Sequence, residues 1–259
     1  MPYSGTRRLR SLILILTGVV VVTIAFARWY YGRQNKWVDP RIIPARELYG
    51  QYNSLAAQND YQKVLDLLEE IGDIYKQYPH YALSYEMGVL ENNRAAVYLT
   101  MAQSFEMDST LKKKNHTGGK QDSLIQLGEL ACRRSIAIYE NWLDQYQDST
   151  LKDIKNAISK EFLAGLPVED QADNYLEKRA REYQQARLEV PRRLSVAYTN
   201  LGVVHRFHGD YKTAAKVYRQ ALDLWDQNLS AENNLNHIMG LPLKKKNFIQ
   251  KMFPQDRLK

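Results

Sequence analysis

The stretch from Ser195 to Asp226, SVAYTNLGVVHRFHGDYKTAAKVYRQALDLWD, constrains the fold more than any other part of this chain. Its first half places Tyr198, Leu201, Gly202 and His205 on one helical face, and the pattern breaks at Gly209-Asp210. Its second half places Tyr211, Ala214, Tyr218, Ala221 and Leu222 on one face at i, i+3, i+4 spacing. Gly202 and Ala214 allow two backbones to approach closely, and the large side chains fill the volume around that contact. The expectation is an antiparallel helical hairpin with a glycine-containing turn.

These residues resemble a tetratricopeptide repeat, a roughly 34-residue unit of two helices. Tyr198 stands where that family carries a large aromatic, and Asn200-Leu201-Gly202, Gly209-Asp210-Tyr211, Ala214, Tyr218 and Ala221-Leu222 follow its pattern. His205 and Asp226 depart from it, standing where the family has Tyr and Pro. Asn234-Leu235 lies 34 residues after Asn200-Leu201, inside a segment 230–239 with Ser230 as an expected N-cap and Gly240-Leu241-Pro242 as a stop. That segment is expected to be the helix that caps the open end of a stack. The resemblance implies an all-α fold, a right-handed stack of such hairpins over residues 45–240, with the clearest unit at 195–228.

Weaker traces precede this unit. Asn59-Asp60-Tyr61 echoes Gly209-Asp210-Tyr211 and is followed by Val64, Leu68 and Ile71 on one face, and Ala95 and Tyr98 stand as Gly202 and His205 do. Residues 107–121, polar and basic, read as a flexible insertion between paired helices. A helix is expected over 122–147 with Leu127, Leu130, Ala131, Ile138 and Trp142 on its buried side. A shorter one is expected over 149–164. A charged helix over 169–189 follows, after which Pro191 opens the clearest unit from a first helical turn.

Residues 1–10 form a basic tail, and Ser11 to Ala27 carry no charge over 17 residues. As a helix that run spans about 26 Å, and the following Trp29, Tyr30 and Tyr31 extend it toward the roughly 30 Å of a bilayer core and suit its aromatic interface. A single transmembrane helix over 11–31 is expected, followed by a linker over 32–44. A cleaved signal peptide is the competing reading, with Ala25-Phe26-Ala27 as the cut, but the apolar run lacks a polar segment before that point. Arg7, Arg8 and Arg10 oppose Arg28, Arg33, Lys36, Arg41 and Arg46 across the span. The short arginine tail resists translocation, which leans the folded body to the extracytoplasmic side, the periplasm in a bacterium.

The formal charge of +7 is terminal. Residues 1–46 hold eight basic residues and one acid, residues 240–259 hold six and one, and the body between carries a net −5. A nucleic-acid binder would place its positive stripe on the folded body, so basic flanks near a lipid surface are expected instead, with the tail 241–259 as a second lipid contact. The one cysteine, Cys132, excludes an intrachain disulfide and reads as a small buried apolar residue.

No motif of an enzyme, metal site or cofactor fold is present, and none is expected. His205 and His208 near Asp210 read as packing and turn residues, and Asn115 and Asn228 begin glycosylation triplets of the kind that occur by chance. What the resemblance implies instead is a concave groove that receives a peptide, lined by Asn93, Thr199, Asn200, Val203, Arg206, Phe207, Asn234 and His237. Asparagine offers a donor and an acceptor to a backbone, and Arg206 could take a carboxylate. The expected function is a membrane-anchored scaffold for another protein. The alternative is a structural subunit of a larger membrane assembly.

Overall fold

The computed structural model describes the backbone of residues 4–34, 36–111, 118–167 and 169–245, and every regular element among them is helical. Helix α1 is Ser4–Gln34, and a 3-10 turn at Pro40–Ile42 leads into α2, Ile43–Tyr49. Then come α3 (Tyr52–Ala57), α4 (Tyr61–Lys76), α5 (Pro79–Ala82), α6 (Tyr85–Leu111), α7 (Gly118–Tyr146) and α8 (Leu151–Leu163). A second 3-10 turn precedes α9 (Ala172–Phe207), α10 (Tyr211–Leu224) and α11 (Leu229–Met239). The body is layered along the chain: α4 packs on α6, α6 on α7, α7 on α9, α9 on α10 and α10 on α11, with α8 laid against α9.

The helices begin where side chains replace missing backbone partners. Thr150 and Asp153 form a reciprocal capping box on α8, and Asp60 and Asp210 cap α4 and α10 by accepting from the Lys63 and Thr213 amides. The last two caps are the same turn. Asn59 and Gly209 both adopt positive φ, 56° and 74°, and the Asp that follows has φ near −84° and ψ of 70° in each. The echo between Asn59-Asp60-Tyr61 and Gly209-Asp210-Tyr211 is thus one of backbone geometry.

The expected hairpin is present as α9 and α10, joined by a short turn and packed along their length. Gly202 lies directly under the Tyr218 ring, which leaves no room for a Cβ. The same device recurs between α6 and α7, where a Cβ on Gly88 would lie 2.6 Å from Cε1 of Tyr139. Gly88, seven residues before Ala95, is therefore the counterpart of Gly202 in this pair. The buried face of α7 runs through Ile125, Gly128, Cys132, Ser135, Tyr139 and Trp142 at alternating three- and four-residue steps. Ser135 donates to the Gly88 carbonyl at 2.8 Å, and Cys132 is wholly buried, which pushes its thiol up to about 12.

Several boundaries differ from expectation. Helix α9 runs unbroken through Pro191, because Ala186, Val190, Leu194 and Ala197 bury a continuous stripe that outweighs the lost hydrogen bond. Met107–Leu111 extend α6 and Gly118–Gln121 begin α7, so the insertion shrinks to 112–117, which lie outside the described residues. Leu127 and Leu130 are 44% and 47% exposed, rotated off the buried face of α7. Asn228, not Ser230, caps α11. Asp39, Arg41 and Ile42, expected in a linker, are buried in the body, with Arg41 donating to the carbonyls of Phe162 and Ala164.

The apolar run Ser11–Ala27 lies within α1, and its large described side chains, such as Ile15, Val19 and Val22, are exposed. Among the described residues no helix is long and apolar enough to cross a membrane. The side chains of residues 11, 12 and 14, and of Tyr30 and Tyr31, lie outside those described, as do residues 246–259 of the basic tail.

Gly202→Ala tests the close approach of α9 and α10. Alanine in a helix interior ordinarily stabilises by up to about 1 kcal/mol over glycine, whereas overpacking costs about 1–3 kcal/mol. Thermal unfolding is expected to show a lower midpoint for Gly202→Ala, recovered in part by Tyr218→Leu; a raised midpoint would show that the ring does not occupy that space.

Candidate functional site

A charged residue sits on the buried stripe of α9 between Leu176, Ala180 and Tyr183. Arg179 is 1% exposed, and each of its three guanidinium nitrogens donates a hydrogen bond. Its Nη atoms meet both carboxylate oxygens of Glu86 on α6, at 2.6 and 3.1 Å, and Nη1 also reaches Glu182 at 3.1 Å. Its Nε donates to Nε2 of His80 on α5 at 2.9 Å. The rings of Tyr81 and Tyr183 lie 4.5 and 4.7 Å from the guanidinium carbon, an arrangement that planar, weakly hydrated arginine suits. Tyr183 in turn packs against Trp142 and Tyr146 of α7, and His80 against Phe162 of α8.

Two further ion pairs extend this joint. Glu182 also accepts from Arg46 of α2 at 2.9 Å, and Tyr81 donates to Asp39, which is held by Arg41. The electrostatics follow from the burial. His80 is pushed down to about 3, first by loss of water and then by the neighbouring Arg179 charge, so it stays a neutral acceptor. Burial alone would raise the Glu86 carboxyl, but the charge and hydrogen bonds of Arg179 outweigh it and hold it at about 2. Burial moves the Tyr81 phenol well above its usual range; the Arg179 charge opposes that shift, and the carboxylates Asp39 and Glu86 add to it. Through these contacts the cluster ties α2, α5, α6 and α9 together by charge-assisted hydrogen bonds.

The residues expected to line a groove fall into two groups. Thr199 is buried, donates to the Ser195 carbonyl and accepts from Asn228. Asn200 donates to Asn92 on α6 at 2.9 Å, and Asn93 donates to the Tyr49 hydroxyl, so these asparagines bridge helices. Val203 and Phe207 are half-buried against the main core. Arg206 and Asn234 are half-exposed and His237 is exposed. Asn228 is 3% exposed, with its amide donating to Ser195 and Thr199, which closes it to glycosylation in the folded chain.

An open groove lies elsewhere, between α4 and α7 with α6 as its floor. It encloses about 480 Å³. Leu65, Asp66 and Glu69 form the α4 wall, and Leu124, Leu127, Leu130 and Arg134 form the α7 wall at helical spacing. The floor carries Tyr98, Met101 and a Glu91–Arg94 pair at 2.8 Å, with Arg94 also reaching the Leu68 carbonyl. The lining thus combines apolar side chains with charges of both signs.

No protein-family model, curated protein or solved structure matches the chain. The tetratricopeptide resemblance rests on the residues that carry it.

His80 gives the joint a pH signature. Unfolded, its imidazole binds a proton below about 6.5, and folded it does so only near 3. The unfolded chain thus holds more protons between those values, so stability falls on acidification by up to about 1.4 kcal/mol per pH unit from this residue. Glu86, lowered from 4.5 to about 2, adds to the loss below 4.5. Urea unfolding between pH 7 and 5 is expected to show this decline, and His80→Gln is expected to flatten it; an unchanged slope in that variant would assign the dependence elsewhere.

Proposed function

We propose that this protein is a scaffold of tetratricopeptide-like helical hairpins, tethered to a membrane by α1, that receives a segment of another polypeptide in the groove between α4, α6 and α7. The observation that carries the reading is the exposed Leu127 and Leu130 pair beside Leu124 and Met101. Solvent-facing leucines at helical spacing, flanked by charges, are the pattern by which a groove takes the apolar face of a helix. Asp66 and Glu69 on one wall and Arg134 on the other would set the direction and register of the guest.

The tether is supported by the uncharged 17-residue run in α1 and its exposed apolar side chains, which need a cover that water does not supply. Lipid is that cover in this reading, and the folded body lies on the extracytoplasmic side. Anchoring confines a weak groove-binder to the place where its partner is found.

Photo-crosslinking in isolated membranes tests the groove. A photoreactive residue at Leu127 is expected to give a discrete adduct that Leu130→Asp removes, while one at Leu188, 74% exposed on α9, gives none. Equal labelling from both positions would mean that the groove has no particular guest.

A further inference from the structure

Past Gly240, whose left-handed backbone ends α11, the chain turns back along the helix it has just left. The Leu241 amide donates to the Asn236 carbonyl at 2.8 Å, which is sufficient to close the helix. The contacts continue beyond that need. Asn236 Nδ2 donates to the Pro242 carbonyl at 3.2 Å. Asn233 then grips Lys244 by both of its main-chain groups, donating to the carbonyl at 3.0 Å and accepting from the amide at 2.7 Å. The Lys244 ammonium meets Glu232.

The chemistry of this grip defines what it recognises. A side-chain amide that pairs with the N–H and C=O of one residue reads extended backbone and is indifferent to side chains. Glu232 adds a single demand, for a cation at that residue. Leu241 and Leu243 remain 49% and 60% exposed, so apolar burial contributes little to holding the segment. Nothing in these contacts requires that the segment be covalently continuous with α11. The tether supplies a high local concentration, and a free segment of like chemistry must compete against it.

We infer that Glu232, Asn233 and Asn236 form a recognition site for an extended, lysine-bearing segment of another polypeptide, which residues 241–245 occupy as an intramolecular ligand. The site lies on α11, apart from the groove that carries the proposed function, and its existence does not depend on that reading.

Fluorescence anisotropy with a labelled peptide of sequence Leu-Pro-Leu-Lys-Lys-Lys tests it on the full chain. Lys244→Glu weakens the resident segment and leaves the site intact, so this variant is expected to bind the peptide at least tenfold more tightly than the unaltered chain. Adding Asn233→Ala is expected to cancel that gain, and adding Glu232→Gln, which preserves every backbone contact, to reduce it. A peptide with Glu in place of its first Lys is expected to bind at least tenfold more weakly. Failure of Lys244→Glu to improve binding overturns the inference, as does binding that Asn233→Ala leaves unchanged in a chain with an unaltered melting profile.

Discussion

The fold depends on one buried cation. Arg179 cannot shed its charge, and isolated in an apolar interior it would cost several kcal/mol, so the helices that surround it are obliged to bring it partners. Glu86 brings α6, His80 brings α5, Glu182 carries the link to Arg46 on α2, and Tyr81 carries it to Asp39. Hydrophobic contact between helices is tolerant of sliding, and directional contacts are not. The bidentate pair and the two tyrosine faces therefore fix the register in which α5, α6 and α9 meet.

A second constraint sets how closely helices approach. Where a tyrosine lies over a glycine, as Tyr218 over Gly202 and Tyr139 over Gly88, the ring occupies the space a side chain would have filled. Both pairs sit in helical hairpins, and both hairpins are joined to a neighbour through α9. With the matching turns at Asn59-Asp60 and Gly209-Asp210, these pairs give the body a repeated local geometry that its sequence only partly displays.

How much could be read from the sequence follows from how each feature is written there. The α9–α10 hairpin was legible because its glycine, its aspartate cap and its spaced alanines are all distinctive residue types. The buried face of α7 was legible only in part: Ala131, Cys132 and Trp142 are buried as expected, whereas Gly128 and Ser135 carry no apolar signal, and Leu127 and Leu130, which carry a strong one, face the groove. Pro191 read as a boundary because sequence alone does not weigh a lost hydrogen bond against a continuous buried stripe. Asn93 and Asn200, expected at a peptide surface, hydrogen-bond to neighbouring helices, and Thr199 is buried against Asn228; lining a groove and bridging helices are uses of one side chain that spacing does not distinguish. The Arg179 cluster is written in the sequence as an arginine on the apolar stripe of Leu176, Ala180 and Tyr183, a position that demands a buried acid.

The strongest interactions are closed, and the leucines of the α4–α7 groove and the asparagines of α11 are open or only lightly held. A double-mutant cycle on Arg179 and Glu86, followed by urea unfolding, tests the dependence of the fold on its buried cation most directly. Arg179→Met and Glu86→Gln are each expected to cost about 3–5 kcal/mol, because each strands the other group, and together to cost far less than their sum. Additive losses of under about 1 kcal/mol each, the behaviour of an exposed ion pair, would contradict it.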